Sequence, residues 1–466
     1  MANISARLDR LPMTSVHRTA FAALGFAYFF ELGDLNTFAY AAPALIKQWG
    51  ISVNTVALIT SASFGGMTIG ALVSGKLANH VGRRAAFISA TLLYATFSFL
   101  NAAAWDVASL AVLRFITGIG LSAMTVVANT YISEFFPRRV RGRYMGLTMT
   151  AGLVGIPATA WVARLVVPLA PWGWRLIFVW GGLGIVAAII GRFMSESPRW
   201  LLVQGRAAEA EAAVARLERL AIDRFGALAD PQEQLDEPIR PRPPYAALFQ
   251  PPHLRRTIVL SIISITGTVG FYGFMSWVPT LLFEHGFSVV KSLTFVSVIS
   301  VCNPLGALLA ADLMERFERK WFNTAVSFAV VGCGLAYGFS SDPTWIMISG
   351  AMMVISLQAG ATGSYIYTSE LFSTDVRSLG TGLTYGIGRL ANVAGPFIVA
   401  WVYAGLGYEA VFCFIAGCYV LRGLGYAIYG PPTTGRSLEA VNERGDLGRP
   451  TLPIRPVRPL SAKPGS

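Results

Sequence analysis

The chain is 466 residues long, 54% hydrophobic and 13% charged, with a mean hydropathy of +0.54. An ordinary soluble domain carries about a quarter charged residues, so the composition excludes a chain of soluble domains and places most residues where charge is costly. The net charge of +12 would suit a nucleic acid, but the basic residues sit in short loops between apolar runs, which excludes that partner. In chain order, an N-terminal segment 1–19 is expected to be cytoplasmic; its residues 1–18 hold no apolar run suited to a cleavable signal, so the first long run is expected to act as an uncleaved insertion signal. A bilayer core takes about 20 apolar residues in a helix. Runs of that kind lie near 20–44, 56–78, 85–104, 107–133, 144–167 and 174–193. A polar break follows at 194–256, a cytoplasmic linker by the parity of six preceding runs, in which RAAEAEAAVARLERLA (206–221) predicts a short amphipathic helix lying on the cytoplasmic face. Six further runs lie near 257–283, 291–314, 321–340, 344–368, 379–403 and 409–429, and the Pro- and Arg-rich segment 430–466 is expected to be a disordered cytoplasmic tail. The expected fold is an all-α membrane protein with twelve transmembrane helices in two bundles, 20–193 and 257–429.

Charge alternates between the loops. Arg83 and Arg84, then Arg138, Arg139, Arg141 and Arg143, then Arg255 and Arg256, then Arg316, Arg319 and Lys320 mark every second connection. The other connections carry mainly Asp106, Asp342 and Glu409, with Lys47 and Lys291 as exceptions. This positive-inside pattern puts the basic loops and both termini in the cytoplasm. Cys302, Cys333, Cys413 and Cys418 all lie inside apolar runs and read as small core residues, and His17, His80, His253 and His285 have no ligand spacing. No metal and no cofactor is expected, and no phosphate-cradling GxxxxGK[ST] run is present.

The chain also repeats itself. YISEFFPRRVRG from Tyr131 returns as YTSELFSTDVRS from Tyr367, an offset of 236 residues, and the same offset carries GKLANHVGRR (75–84) onto ADLMERFERK (311–320). Two unrelated segments with one offset make the halves related copies. Parallel repeats of six spans around a midplane cavity are a plan of alternating-access carriers.

These motifs carry a resemblance over nearly the whole chain. GKLANHVGRR resembles the loop signature of the major facilitator superfamily. RFITGIG (114–120), YISEFFPRRVRG, SESPRWLLVQGRAAEA (195–210) and PPTTGRSLEA (431–440) resemble its sugar porters. FYGFMSWVPTLL (271–282) and GRLANVAGP (388–396) look more like the organic-ion and aromatic-acid carriers. The resemblance implies a secondary transporter rather than an enzyme, in the inner membrane of a bacterium, working as a monomer on a small and anionic substrate with protons. Sugar or polyol symport, drug-type export and a non-transporting sensor are the alternatives. GLVGIP (152–157) departs from the GxxxGP of exporters, and the tail is short for a signalling domain. The resemblance further assigns gating to Asn79, Arg83, Glu134, Arg141, Glu315, Arg319, Glu370 and Arg377, with Glu134 grouped with Arg141 and Glu370 with Arg377. Asn79 stands where the family has Asp, so the first-half latch is expected to rest on hydrogen bonds, while Glu315 keeps an acid in the second half. PPTT replaces the family's PETK.

Ionisable groups at membrane depth face a cavity and have a partner. Asp34 lies roughly 22 Å from the cytoplasmic start of its helix at helical rise, and Arg114 roughly 20 Å from the same side, so the two depths agree. The expectation is a pair across helices 1 and 4, in a water-lined space between the bundles. The resemblance gives Asp34 and Arg114 the proton-coupling role. Protonating Asp34 frees Arg114, and burial and the arginine favour opposite protonation states, so a small movement toggles the site. A permanent structural ion pair is the other reading. Glu31, three residues from Asp34, is a second protonation site or hydrogen-bonded lining. Arg389 lies roughly 15 Å down helix 11 with no acid in that helix. It either receives a substrate carboxylate or bonds helix carbonyls or a polar residue of the other half. Gln358 and Asn392 lead the polar candidates for substrate contact, followed by Tyr272, Tyr28 and Trp277, with Asn36, Tyr365 and Tyr385; for each, packing or interhelical bonding is the competing role.

Overall fold

A computed structural model describes residues 4–231, 244–251, 253–373 and 376–433, and among these the ordered elements are all helical. Twelve segments build the two bundles. Spans 1 to 6 are Ser15–Leu35 with Thr37–Trp49, Val53–Val81, Arg83–Asn101, Val107–Phe135, Arg138–Val166, and Trp174–Gly182 with Ile185–Gly191. Spans 7 to 12 are His253–Met275 with Val278–Glu284, Val289–Ser300 with Cys302–Arg316, Arg319–Gly338, Pro343–Leu371, Arg377–Leu406 and Tyr408–Leu424. Nine helices of the described residues are long and apolar enough to cross a membrane by themselves. The expected twelve-helix architecture is therefore the observed one, and most of the tail, from residue 434, lies outside the described residues.

Four spans that read as continuous in sequence are broken. In spans 7 and 8 the break precedes Pro279 and Pro304, whose rings lack the N–H that would bond Met275 and Ser300 and crowd those carbonyls. Span 1 breaks at Asn36, beside Asp34. On the low-charge face the helices start at capping side chains: Ser52, Asp106, Ser288 and Asp342 each accept a backbone N–H of the first turn. Asp106 and Asp342, two of the three acids read from sequence as loop charges, are thus caps, and all four caps obey the offset of 236.

The repeat holds in three dimensions. Tyr131 Oη donates to the Ser195 carbonyl at 2.8 Å, and Tyr367 Oη to the Pro431 carbonyl at 2.7 Å. Arg141 and Arg377 each donate to the carbonyl five residues back, Phe136 and Phe372. On the low-charge face a single apolar cluster takes in residues of both halves, from Phe38, Tyr40 and Leu45 to Trp277, Leu281 and Leu293. Arg164 Nε to Thr294 Oγ1 (2.6 Å) and Ser297 Oγ to the Ala160 carbonyl (2.9 Å) cross the same junction. Toward the basic face each half has its own clusters. A Cβ added at Gly142, Gly146, Gly382 or Gly386, near the basic ends of spans 5 and 11, would meet nothing within 4 Å. The halves are joined at the low-charge face and parted at the basic one.

The amphipathic helix predicted at 206–221 is present as Ala207–Phe225, and buries Ala210, Val214, Leu217 and Ala221. A short helix, Ile4–Asp9, straps it to the bundle. Arg7 and Arg10 both grip Glu218 (2.6 and 2.5 Å), and Asp9 accepts from Arg199 (3.1 Å) and from the backbone N–H of Arg138 (3.2 Å). The Arg7 hydrogen bond holds the Glu218 carboxyl below the usual carboxylate range, helped by Arg10. A depressed carboxyl stabilises the folded arrangement above its unfolded value and loses that contribution as pH falls through the folded one. Amide exchange should therefore show residues 4–11 protected at pH 7 and released only below about pH 4, whereas Glu218→Gln releases them at pH 7.

Candidate functional site

Span 1 unwinds at Asn36, which frees the Asp34 carbonyl from the helical ladder. Thr37 Oγ1 donates to it at 2.7 Å, and Arg114 approaches it with both Nη atoms at 3.4–3.5 Å. Arg114 Nη1 also reaches Asp34 Oδ2 at 3.1 Å and Thr37 Oγ1 at 3.2 Å, and its Nε donates to Ser63 Oγ at 3.2 Å. Ser98 Oγ donates to the other carboxylate oxygen. Asp34 is 0% and Arg114 1% exposed. A buried pair is tolerated only when its remaining donors and acceptors are met, and spans 1, 2 and 3 supply those partners through Thr37, Ser63 and Ser98.

The pair forms as expected, but not where expected. It is enclosed within the first bundle, among spans 1, 2, 3, 4 and 6, and does not line the space between the halves. Gly181 in span 6 closes the enclosure: a Cβ there would sit 2.1 Å from Asp34 Oδ1 and 2.6 Å from Ser98 Oγ. Gly181→Ala should force the carboxylate off Arg114, costing about 1–3 kcal/mol as an overpacked core site; a lowered melting temperature together with lost accumulation of substrate is the expected result. Glu31 is also buried, with Thr125 as its hydrogen-bond partner, Oε2 unmet, and Arg389 of the other half within Coulombic reach.

Between the halves lie two adjoining cavities, of about 220 and 100 Å³, that share Ser264, Thr268, Tyr272, Tyr365 and Tyr385. The larger also meets Asn36 and Gln358, the smaller Arg389 and Asn392. Four of the six residues singled out for substrate contact thus share one space. Trp277 and Tyr28 do not: Trp277 is 1% exposed in the apolar cluster of the low-charge face, and Tyr28 is packed in the first bundle with Oη directed to the Thr125 carbonyl at 3.4 Å. Arg389 Nη1 donates to Ser122 Oγ of the other half at 2.5 Å, which is the second of the two arrangements expected for it, and still faces the smaller cavity. Among the described residues, neither cavity has an Asp or Glu on its wall.

With this architecture in place, comparison with known proteins is decisive. Residues 16–444 match the family model described as sugar (and other) transporter. The chain belongs to that family. It is a major facilitator transporter, a multi-pass membrane protein and not an enzyme. YyaJ of Bacillus subtilis (strain 168), a metabolite transport protein by name, is 42% identical over 94% of this chain and 97% of its own length. The niacin transporter NiaP of Acinetobacter baylyi (strain ATCC 33305 / BD413 / ADP1) is 30% identical over 94% of this chain and 99% of its own. A D-xylose-proton symporter shares the fold with a TM-score of 0.72, at 17% identity over 91% of this chain and 100% of its own.

On the transporter's basic face the latch residues pair differently from the sequence expectation. Arg83 holds Glu134 through Nε and Nη2 at 2.7–3.1 Å, and also donates to Asn79 Oδ1 at 2.9 Å. Arg141 does not join Glu134; it lies 3.6 Å from Asp9 and donates to the Phe136 carbonyl. In the second half Arg319 takes Glu370 at 3.0 Å, while Glu315 is exposed and outside that pair. The carboxylates that matter here were hidden in the motifs. Glu196, from SESPRW, accepts the backbone N–H groups of Arg83 and Arg84 at the start of span 3. Gly82, at φ +97°, is required because a Cβ would strike Glu196 Oε2 at 2.4 Å. In the second half PPTT has no acid, and the polarity is reversed: Thr433 N donates to Glu318 Oε1 at 2.9 Å. Sequence reasoning also missed Arg422 in span 12, which is 3% exposed on the wall of the larger cavity. Its signal was a lone base inside an apolar run, YVLRGLGY, with no acid nearby.

Proposed function

We propose that this transporter imports a small organic anion together with a proton, with its basic face in the cytoplasm of a bacterial cell. The observation that carries the anionic reading is the charge of the space between the halves: Arg389 and Arg422 stand on its walls, and among the described residues no Asp or Glu lines it, Glu31 lying within Coulombic reach of Arg389 but buried behind the wall. Aromatic side chains supply the remaining recognition surface, and the relative named for niacin, a single-ring carboxylate, supports the same class. A substrate carboxylate at Arg389 competes with Ser122 for the guanidinium, so binding loosens a hydrogen bond that ties one half to the other. The Asp34–Arg114 pair supplies the proton step. With the basic face parted, Asp34 and Arg114 are in contact at 3.1 Å, and in this reading that contact is the closed, deprotonated state of the pair. A proton on Asp34 discharges the carboxylate, leaves Arg114 without its counter-charge, and favours the state in which spans 1 and 4 repack. Glu31, with one oxygen unmet, is a second protonation site through which the same proton passes to Asp34. The gate is carried by Asn79, Arg83 and Glu134 in one half and Arg319 and Glu370 in the other. The test is uptake into proteoliposomes under an imposed pH gradient, with labelled nicotinate, benzoate and xylose. Accumulation of a carboxylate driven by the gradient supports the reading, and uptake of xylose alone overturns it.

A further inference from the structure

We infer that Arg422 is a carboxylate-binding residue of the larger cavity, a second anion station on the basic side of Arg389, suited to a single-ring aromatic monocarboxylate. The inference rests on the anionic reading above and assigns it a residue. Arg422 lies seven residues from Tyr429, so roughly 10 Å of helix separates it from the basic end of its span, against roughly 18 Å for Arg389, twelve residues into span 11. It is therefore within the apolar depth of its span, where an unpaired charge is costly.

Its surroundings neutralise it incompletely. Nη2 donates to the Gly360 carbonyl at 2.7 Å and Nη1 to Tyr419 Oη at 3.3 Å, the guanidinium lies 5.2 Å from the Tyr419 ring and 5.8 Å from the Tyr426 ring, and Nε is buried without a partner. Among the described residues no carboxylate pairs with it. Taking one charge out of water is costly even after relaxation, and neutral hydrogen bonds with two ring faces offset only part of that. The cation is also built in. A Cβ on Gly267 would meet Nη1 at 2.8 Å, so span 7 is bare where the guanidinium lies, and Gly360 of span 10 presents its carbonyl to it. A fixed cation held by neutral groups against a cavity lacks a counter-charge, and the cavity is where one can arrive.

The cavity fits such a ligand. Among the described residues, Arg422 is the one charged residue on the wall of the larger space. Phe271, Tyr272, Tyr365 and Tyr385 provide ring faces, and Leu32 and Leu153 of the first half close the opposite side. An apolar cavity of about 150 Å³ holds benzene, so about 220 Å³ holds one ring with its carboxylate. Tyr365 and Tyr385 border both cavities, which makes the passage from Arg389 to Arg422 continuous.

The experiment compares equilibrium binding of matched pairs, nicotinate with nicotinamide and benzoate with benzamide, to purified wild type and Arg422→Gln. Wild type should prefer the acids, and Arg422→Gln should lose at least about tenfold of that preference, near 1.4 kcal/mol, while binding the amides as before. Arg422→Lys, which keeps the charge but not the planar fork, should retain part of the preference. Because Arg422→Gln could fail to fold, a structure of the wild type with 4-iodobenzoate, located by its anomalous signal, provides the second reading. A carboxylate within hydrogen-bond distance of Arg422 supports the inference; a ligand seated elsewhere overturns it. Binding of acids with unchanged preference in Arg422→Gln removes the inference alone, and a wild type that binds no acid removes the functional reading with it.

Discussion

Asp34→Asn abolishes pH-driven accumulation while leaving substrate exchange across the membrane intact. A pH unit is worth about 1.36 kcal/mol per proton, so one proton per monoanion allows about tenfold accumulation per unit of gradient. Without a titrating group at residue 34 that ratio falls to one. Exchange survives because it needs only the substrate site and the movement of the halves, and the cavities lie outside the enclosure that holds Asp34. The variant also carries a stability signature. Asn leaves Arg114 buried without its counter-charge, and removing one partner of a buried pair costs about 3–5 kcal/mol. Asp34→Asn with Arg114→Gln removes both charges and should regain much of that loss without regaining accumulation. Uptake into proteoliposomes with and without a gradient, together with melting curves of the three variants, checks both effects. Full uphill uptake by Asp34→Asn would leave the pair a purely structural device.

Arg389→Ala removes carboxylate transport. The expected fall in kcat/KM is about a hundredfold, or roughly 2.7 kcal/mol, within the range for truncating a hydrogen-bonded charge that faces a desolvated partner. Neutral analogues should be affected far less, since the ring-lined wall of Tyr272, Tyr365 and Tyr385 is untouched. The variant also loses the bond to Ser122, so Ser122→Ala is the matching control. If Arg389 serves only as a strut between the halves, the two variants behave alike toward acids and amides; if it receives the carboxylate, only Arg389→Ala discriminates between them. Transport of acid and amide by both variants separates these outcomes.

Much of the architecture was legible because it is repetitive. Run length counts spans, loop charge gives their alternation, and one offset ties the halves together. Equal depth along two helices was enough to bring Asp34 and Arg114 within 3.1 Å. What sequence did not convey was direction around a helix axis. Depth fixes a residue's level but not whether it faces the neighbouring helix or the space between bundles, so the pair was placed in the wrong compartment and Trp277 on the wrong wall. The partners of the latch arginines were hidden for another reason. Glu196 and Asp9 reach them from segments outside the spans, over separations that no helical period encodes. Arg422 escaped because a lone arginine carries no pattern; only its place on a cavity wall with no acid paired to it among the described residues makes it informative.

The central claim is that substrate moves with a proton taken up by Asp34. Counting protons with a pH-sensitive dye trapped in proteoliposomes, during downhill carboxylate flux at zero pH gradient, tests it most directly. The wild type should carry about one proton with each carboxylate, and Asp34→Asn none. Equal carboxylate flux with no proton movement in the wild type, or an unchanged proton count in Asp34→Asn, would contradict the account.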